Sequence, residues 1–483
     1  MGPFSTVLAV VVFSIGAAWT LKNRSAVLAQ LRNFATEPDH AVNLAVTRIA
    51  FFGTTLYLAP WRDADRWAAL PQELLIAPTG TQWLADLGLA SPGFVRVLVV
   101  MMTIATVTGL VGFFTRTSAA VFTAIGFYVL WLPQSFGKVD HIHHMLWVGL
   151  LMALFPSGDA LSIDSWRRGS PKVAPSRSYG VPLRVLWVFL GMIYFFPGFF
   201  KYFFGGLGWA FSDNLRFQAQ ITWLAHDALP AIRVDQWPTP LLWAAGLGTL
   251  IFEIGFVFCI FSKRLRPLAA VVGFSFHVAT GFLLLISFTS VRMLYVSFLP
   301  WHRIIPAVRS RFSKASPAER EPVLASAGSG SKHRLPELAA WSLVAITFLV
   351  SSQVYLNAWP VATYPIFPRV DSGDVAVVEL VLVDEQGREH DFASQTNALD
   401  WIPDHKLFRM LDEARQDSVR ATALASVIAC QLDGPFEELA LYSTVVSSDV
   451  GQWEVPLQRE QTFALELGGG GVPPEALAFR ECG

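Results

Sequence analysis

The chain has 483 residues, and its 36 Lys and Arg against 37 Asp and Glu give a formal net charge of −1. This balance excludes an electrostatic nucleic-acid binder, which needs a strong basic excess. Hydrophobic residues make up 53% of the chain and charged residues only 15%, whereas soluble domains carry about 25% charged residues. The composition therefore excludes an ordinary cytosolic enzyme, a disordered chain and a disulfide-rich secreted domain, and it predicts a polytopic membrane protein.

Apolar stretches predict about ten transmembrane helices, since a spanning helix needs about 20 mostly apolar residues. The stretches are residues 4–21, 42–59, 94–114, 117–134, 141–157, 183–202, 240–261, 267–286, 287–301 and 338–357. The ninth is short and carries Arg292, so it could instead continue the eighth as one bent hairpin. The first is followed, not preceded, by basic residues, which favours a span with its N-terminus outside over a cleaved signal peptide.

The connecting loops form two alternating sets that differ in charge. Basic residues concentrate in loops 22–41, 115–116, 158–182, 262–266 and 302–337, and they are sparse in loops 60–93, 135–140 and 203–239. Because short basic loops stay in the cytoplasm, the first set is predicted to lie inside and the second outside. Both chain termini are then extracytoplasmic.

The predicted fold class is an all-α polytopic membrane bundle with a small C-terminal extracytoplasmic α+β domain. We assign residues 1–312 to the transmembrane domain, 313–337 to a flexible cytoplasmic linker rich in Ser, Ala, Gly and Pro, 338–358 to the last transmembrane helix and 359–483 to the α+β domain. Cys430 and Cys482 both lie in this last domain. Outside the membrane they either pair or remain free thiols.

Ionisable groups inside apolar stretches are costly in lipid and mark functional candidates. Arg48 lies near the inner end of its span, so its side chain can also reach the surface. Glu253 lies in mid-span, where a short carboxylate must pair, protonate or face water. His277, also in mid-span, is either a structural histidine or part of an internal polar site.

Lys201 is the most suggestive of these residues. It closes the aromatic run 194–201 (YFFPGFFK). Burial disfavours its ammonium form, so Lys201 can act as a base, unless its side chain extends to the nearby outer surface. Lys201, Glu253 and His277 on three stretches could converge on one cavity as an acid–base constellation.

A polar cluster of Asp140, His141, His143 and His144 opens the fifth stretch. His141 and His144 share a helix face, and His together with a carboxylate can bind zinc or iron. No second metal-ligand motif follows at a useful spacing. A polar cluster at the mouth of a cavity is therefore favoured over a metal site.

These segments resemble the vitamin K-dependent γ-carboxylase-like superfamily, whose bacterial members are called HTTM (horizontally transferred transmembrane) proteins. The stretch from His141 to the loop 156–164 (PSGDALSID) resembles a family span that opens with His and closes with a Pro–small–Asp–Ser–x–Asp loop. Residues 194–201 resemble the family segment whose Lys is the catalytic base. The segments around Arg48, Glu253 and His277 resemble three further family segments, in order, over residues 42–310.

The resemblance implies an integral membrane enzyme, a carbon–carbon lyase that uses a reduced quinone of the vitamin K or menaquinol type and oxygen. In the carboxylase, the deprotonated quinone reacts with oxygen to give an alkoxide that removes a glutamate γ-proton. The carbanion then captures carbon dioxide, and the quinone leaves as its epoxide. Lys201 would be the base, and His141 would support a charged intermediate. The implied pocket residues are Arg48, Asp140, His144, Trp209, Glu253 and His277.

The implied partners are membrane lipid, the quinone and a protein or peptide glutamate, with no metal and no nucleic acid, in a bacterial inner membrane. Two departures leave the reaction open. Residues 202–209 (YFFGGLGW) reach Trp209 without the polar pair of the carboxylase pattern, and the tail is much shorter than the domain that grips propeptides in the animal enzyme. The alternative is a non-enzymatic HTTM protein that serves as a sensor, an immunity-type protein or a transport component.

Overall fold

The computed structural model describes residues 3–140, 142–170, 173–225, 228–312, 334–353, 356, 358–361, 375–395, 401–432, 436–446 and 456–467. The predictions for His141, for Cys482 and for most of the 313–337 linker fall outside these residues. The pairing of Cys430 with Cys482 therefore stays a prediction.

The described part of residues 3–353 is mainly helical. Its helices are α1 (Pro3–Lys22), α2 (Arg24–Thr36), α3 (Ala41–Leu58), α4 (Ala64–Trp67), α5 (Gln82–Asp86), α6 (Pro92–Val111), α7 (Thr115–Val129), α8 (Trp131–Gln134), α9 (His144–Leu154), α10 (Ile163–Arg167), α11 (Arg177–Gly205), α12 (Asn214–Ala225), α13 (Thr239–Cys259), α14 (Arg266–Leu283), α15 (Thr289–Arg292), α16 (Trp301–Phe312) and α17 (Arg334–Ser351). Short 3-10 turns lie at Gln72–Leu74, Gly206–Trp209, Val234–Gln236 and Met293–Phe298.

Seven helices in the described ranges are long and apolar enough to cross a membrane. They cover Ala41–Leu58, Pro92–Val111, Thr115–Gln134, Arg177–Trp209, Thr239–Cys259, Arg266–Leu283 and Arg334–Ser351. Each overlaps a predicted span, so the polytopic helical character is confirmed, whereas the count of about ten is not. The first predicted span forms the 20-residue helix α1.

Two predicted spans take a different form. The fifth yields only α9, whose 11 residues reach about 16 Å and are buried by other helices on nearly every side. The ninth yields α15 and the 3-10 segment Met293–Phe298, which packs against α3 and α14. Irregular backbone is tolerated at membrane depth where surrounding protein shields it from lipid. These two stretches are apolar because they fill the protein core.

Helix α11 is the centre of the membrane region. Its 29 residues span about 43 Å, and 78% of its spanning window is buried, the largest share among the seven candidates. It packs along α13 and also contacts α2, α3, α9 and α17. A helix that is apolar all round can face either lipid or protein, and the contacts with these neighbours place α11 in the protein interior.

Loops of the predicted inner set contact one another on one side of the bundle. The backbone of Asp39 pairs with that of Ser176, and the Arg266 guanidinium lies 3.1 Å from the Glu37 carboxylate. Asn43 hydrogen-bonds His302. These contacts join residues 22–43, 158–182, 262–266 and the start of α16.

Loops of the predicted outer set contact the C-terminal domain on the opposite side. Arg420 donates to the Leu75 carbonyl at 3.2 Å, and His405 lies 2.8 Å from Asp140. The ring of Trp67, at the end of α4, packs edge-on against Trp401. The segregation of the two loop sets agrees with the charge pattern, while the side that faces the cytoplasm stays a prediction.

The C-terminal domain is a small α+β unit. Its antiparallel sheet has the order β2-β1-β3-β4, with β1 at Val375–Asp384, β2 at Glu389–Asp391, β3 at Phe436–Val446 and β4 at Pro456–Glu466. The helices are α18 (Phe392–Gln395), α19 (Asp404–Ala414) and α20 (Ser418–Ala429). Apolar residues of β1, β3 and β4 and the apolar faces of α19 and α20 form its core, including Leu382, Leu439, Leu465, Leu407 and Leu424.

The arrangement of the loops gives a labelling test of topology. Single cysteines placed by Arg62→Cys and Arg415→Cys should react with a membrane-impermeant thiol reagent in intact cells, because both positions are exposed and lie on the predicted outer side. The exposed position Arg167, changed to Cys, should react only after the cells are opened. The parent chain gives the background from its own cysteines. If Arg167→Cys is labelled in intact cells and the other two variants are not, the orientation is the reverse of the one predicted.

Candidate functional site

Lys201 and Glu253 form an ion pair inside the bundle, between α11 and α13. The Lys201 Nζ lies 2.8 Å from both carboxylate oxygens of Glu253, and the two residues are 3% and 6% exposed. Each charge compensates the desolvation of the other, which neither residue could bear alone in this position. Lys201 thus points inward to Glu253 and does not extend to the membrane surface.

A close helix contact makes this pair possible. A Cβ atom at Gly198 would lie 2.6 Å from the Cβ of Glu253 and 3.1 Å from the backbone nitrogen of Ile254. Any larger residue there would push α13 away from α11. The glycine, one turn before Lys201, therefore sets the distance at which Nζ can meet both carboxylate oxygens.

The indole of Trp209 forms one wall around the ammonium group. Lys201 Nζ lies 5.3 Å from the centre of the Trp209 ring, within the range of a cation–π contact, and Trp209 is buried. The 3-10 turn Gly206–Trp209 brings the ring back towards the end of α11. The structure therefore places Lys201, Glu253 and Trp209 together, as a shared pocket requires.

A second polar cluster lies two helical turns earlier on α11. The Tyr194 hydroxyl forms hydrogen bonds with His277 Nε2 and with the Tyr295 hydroxyl. Gly273 leaves the space for Tyr295, since a Cβ atom there would overlap the Tyr295 hydroxyl. His277 is 4% exposed, and its Nδ1 has no hydrogen-bond partner among the described residues.

The two clusters are neighbours on one face of α11. Tyr194 and Lys201 are seven residues apart, which places them on the same face at about 10 Å along the axis. The rings of Phe252 and Phe256, on α13, lie 4.9 Å and 4.8 Å from the Tyr194 ring. Of the three residues expected to share a cavity, Lys201 and Glu253 are in contact, whereas His277 binds Tyr194.

Sequence reasoning missed Tyr194 and Tyr295 as site residues. Tyr295 lies in the ninth apolar stretch, which the sequence predicts as a short span or as a continuation of the eighth. A buried tyrosine hydroxyl needs a hydrogen-bond partner, so a tyrosine within an apolar stretch is a usable signal. The pairing itself requires the three-dimensional arrangement of α11, α14 and the segment Met293–Phe298.

Arg48 holds a loop, and its hydrogen bonds go to that loop and not to either polar cluster. Its guanidinium donates to the carbonyl oxygens of Ser157 at 2.9 Å and Leu161 at 2.6 Å. Asp164, in the same segment, accepts hydrogen bonds from the backbone nitrogens of Phe114 and Thr115. The PSGDALSID segment is thus tied to α3 and to the start of α7. The pocket role that the resemblance implies for Arg48 has no support in these contacts.

Asp140 joins the membrane region to the C-terminal domain. Its carboxylate lies 2.8 Å from His405 Nε2 and 3.1 Å from Lys406 Nζ, and Nζ also donates to the Lys138 carbonyl at 3.0 Å. Burial alone would raise the pKa of Asp140, but the His405 hydrogen bond and the Lys406 charge hold it well below its usual value. Burial of the Lys406 ammonium lowers the pKa of Lys406, because it outweighs the attraction of Asp140.

His144 begins α9 and is buried, but the contacts described here do not place it beside Lys201. His143, next to it, stacks edge-on with Trp147. Within the described ranges, no group of three or more His, Cys, Asp or Glu side chains has an arrangement that could hold a metal ion.

The helix contact at Gly198 gives a stability prediction. Gly198→Ala should destabilise the protein by about 1–3 kcal/mol, since the added methyl group overpacks the α11–α13 contact. Gly248→Ala on α13 is the matched control, because a Cβ there meets nothing within 4 Å. Thermal unfolding in detergent should show a lower midpoint for the first variant only. If both variants unfold at the same temperature, the contact at Gly198 does not limit how closely α11 and α13 pack.

The Asp140 cluster predicts how the C-terminal domain docks. Asp140→Asn should loosen the domain and increase protease cleavage near α19, whereas the exposed Asp86→Asn should not.

A carboxylate with a lowered folded pKa contributes its full stability above its unfolded pKa of about 3.9, and it loses that stability as pH falls through the lower folded value. In hydrogen-exchange measurements, the contribution of Asp140 to docking should therefore be lost only as the pH falls below about 4. If Asp140→Asn leaves protease cleavage near α19 unaltered, Asp140 does not hold the C-terminal domain in place.

Comparison with known proteins gives one family. The family model described as the HTTM domain matches residues 36–302, more than half of the chain. No curated protein and no solved structure matches the chain. The matched region includes α3 to the start of α16, and with it both polar clusters.

Proposed function

The chain belongs to the HTTM domain family, and we propose that it is an integral membrane enzyme that acts on a reduced quinone with Lys201 as the base. The observation that carries the proposal is the Lys201–Glu253 pair, which is buried in the interior of the membrane region. A costly ionisable pair at this depth is expected at functional sites.

Glu253 gives Lys201 a way to become a base. Burial penalises the charged forms of both side chains, so transfer of one proton from Nζ to the Glu253 carboxylate gives a neutral amine beside a neutral acid. The amine then accepts a proton from an acidic hydroxyl of the ligand and becomes an ammonium. The positive charge on Nζ stabilises the anion that remains, and the Trp209 ring stabilises the ammonium by a cation–π contact.

The aromatic and polar residues of the two clusters suit a hydroquinone. Trp209, Phe252 and Phe256 offer aromatic surfaces for a flat ring, and His277 Nδ1 is a buried nitrogen with no partner among the described residues. A reduced quinone with oxygen would supply the strong base that glutamate carboxylation requires. We propose carboxylation of a protein or peptide glutamate as the most concrete form of the reaction.

Lys201→Arg is the sharpest test of the mechanism. A guanidinium stays charged and cannot accept the proton, so turnover should fall about 10²–10⁴-fold, as in Lys201→Ala. Lys138→Arg is the control, because Lys138 is exposed and lies outside both polar clusters. The measurement is epoxide formation from reduced menaquinone by the purified protein, with quinone photo-crosslinking as a separate readout of binding.

The possible results separate the proposals. Near-full epoxide formation in Lys201→Arg would show that Lys201 is a structural partner of Glu253 and not the base. Epoxide formation without incorporation of labelled carbon dioxide into glutamate peptides would retain the quinone enzyme and reject carboxylation. If the unaltered protein shows neither quinone crosslinking nor epoxide formation, the enzyme is rejected in favour of the non-enzymatic alternative.

A further inference from the structure

A groove of about 630 Å³ lies where α2 meets the loop between α13 and α14. One part of its wall is apolar and consists of Ala26, Ala29, Phe34 and Phe261. The other part carries the basic residues Lys263, Arg264 and Arg266. The groove therefore offers an apolar surface and a cationic surface side by side.

The groove lies at the level of a membrane boundary. It is next to the end of α13 at Cys259 and the start of α14 at Arg266, and both helices are candidate spans. Helix α2 exposes Leu28 and Leu31 beside basic residues, which is the pattern of a helix that lies in the lipid interface. A ligand in this groove would contact headgroups and acyl chains at once.

The charges around the groove leave a cationic excess. Glu37 is shared by Lys263 at 2.9 Å, Arg266 at 3.1 Å and Arg184 at 3.5 Å, and Arg184 also pairs with Asp39. Partial burial alone would raise the pKa of Glu37, but these cations hold it below its usual value. Glu37 thus stays an anion and is outnumbered by its basic neighbours.

Arg264 is the group that this network leaves available. Its side chain is exposed, and it makes no ion pair or side-chain hydrogen bond within the described part of the chain. Gln30, Asn33 and Ser262 add neutral hydrogen-bonding groups to the same wall. Together they form a surface with spare donors for an anion.

We propose that this groove binds the phosphate headgroup of an anionic phospholipid. Arginine presents a planar set of donors that matches phosphate oxygens, and basic pockets between spanning helices favour acidic headgroups. The apolar wall formed by Phe34 and Phe261 accommodates the start of an acyl chain. Free phosphate would use only the cationic wall, so the apolar wall favours a lipid.

The test compares two pairs of substitutions. Lys263→Ala with Arg264→Ala removes two charges of the groove, and Arg303→Ala with Arg309→Ala removes two exposed charges on the same predicted side but outside it. Each protein is purified from mixed phosphatidylglycerol and phosphatidylcholine, and native mass spectrometry measures the lipid retained. The preference for phosphatidylglycerol should fall on the order of tenfold in the groove variant only.

A single change guards against unfolding. Arg264→Glu breaks no ion pair among the described residues, so it should keep the fold and still reduce phosphatidylglycerol retention. Equal retention in Arg264→Glu and the unaltered protein would overturn the proposal, as would a loss of the same size in the control pair. Millimolar inorganic phosphate gives a further outcome. If it displaces the lipid and protects the protein against thermal unfolding as well as the lipid does, the site binds free phosphate and the lipid proposal is rejected. None of these outcomes depends on quinone chemistry.

Discussion

The structure depends on how two apolar helices share one charged pair. Helices α11 and α13 approach closely at Gly198, and this approach lets Lys201 and Glu253 compensate each other in the interior. Neither residue could remain charged there alone, because an isolated ion in the membrane interior is strongly disfavoured. The pair thus ties helix packing and candidate chemistry together, and a change in one alters the other.

Polar networks at the two ends of the bundle have different tasks. On the predicted inner side, Glu37 pairs with Arg184 of α11 and Arg266 of α14, and Asp39 also pairs with Arg184. These ion pairs hold the ends of the helices against one another. On the other side, Asp140 binds His405 and Lys406 and holds the C-terminal domain on the membrane region. The domain therefore packs on the loops that lead into α9, and its core is continuous with that of the bundle.

The family and the proposed chemistry rest on different observations. The family rests on the match to the HTTM domain over residues 36–302. The proposed reaction rests on the arrangement of Lys201, Glu253 and Trp209 and on the buried His277. Arg48 and Asp140 show that a buried charge in such a chain can equally serve a loop or a domain contact.

The sequence by itself determined the polytopic helical membrane class and the alternation of basic loops, and it marked Lys201, Glu253 and His277 as candidates, because the costs of exposing apolar surface and of burying charge can be estimated from residue type and position. It predicted about ten spans, of which seven form long apolar helices in the described residues. Only the tertiary structure decided which charges meet. Apolarity alone cannot distinguish a lipid-facing helix from one buried in protein. The sequence therefore predicts spans where the structure has the short buried helix α9 and the segment Met293–Phe298. Partners far apart in the chain, such as Tyr194 with Tyr295 or Asp140 with Lys406, are set by helix packing, which local periodicity does not encode.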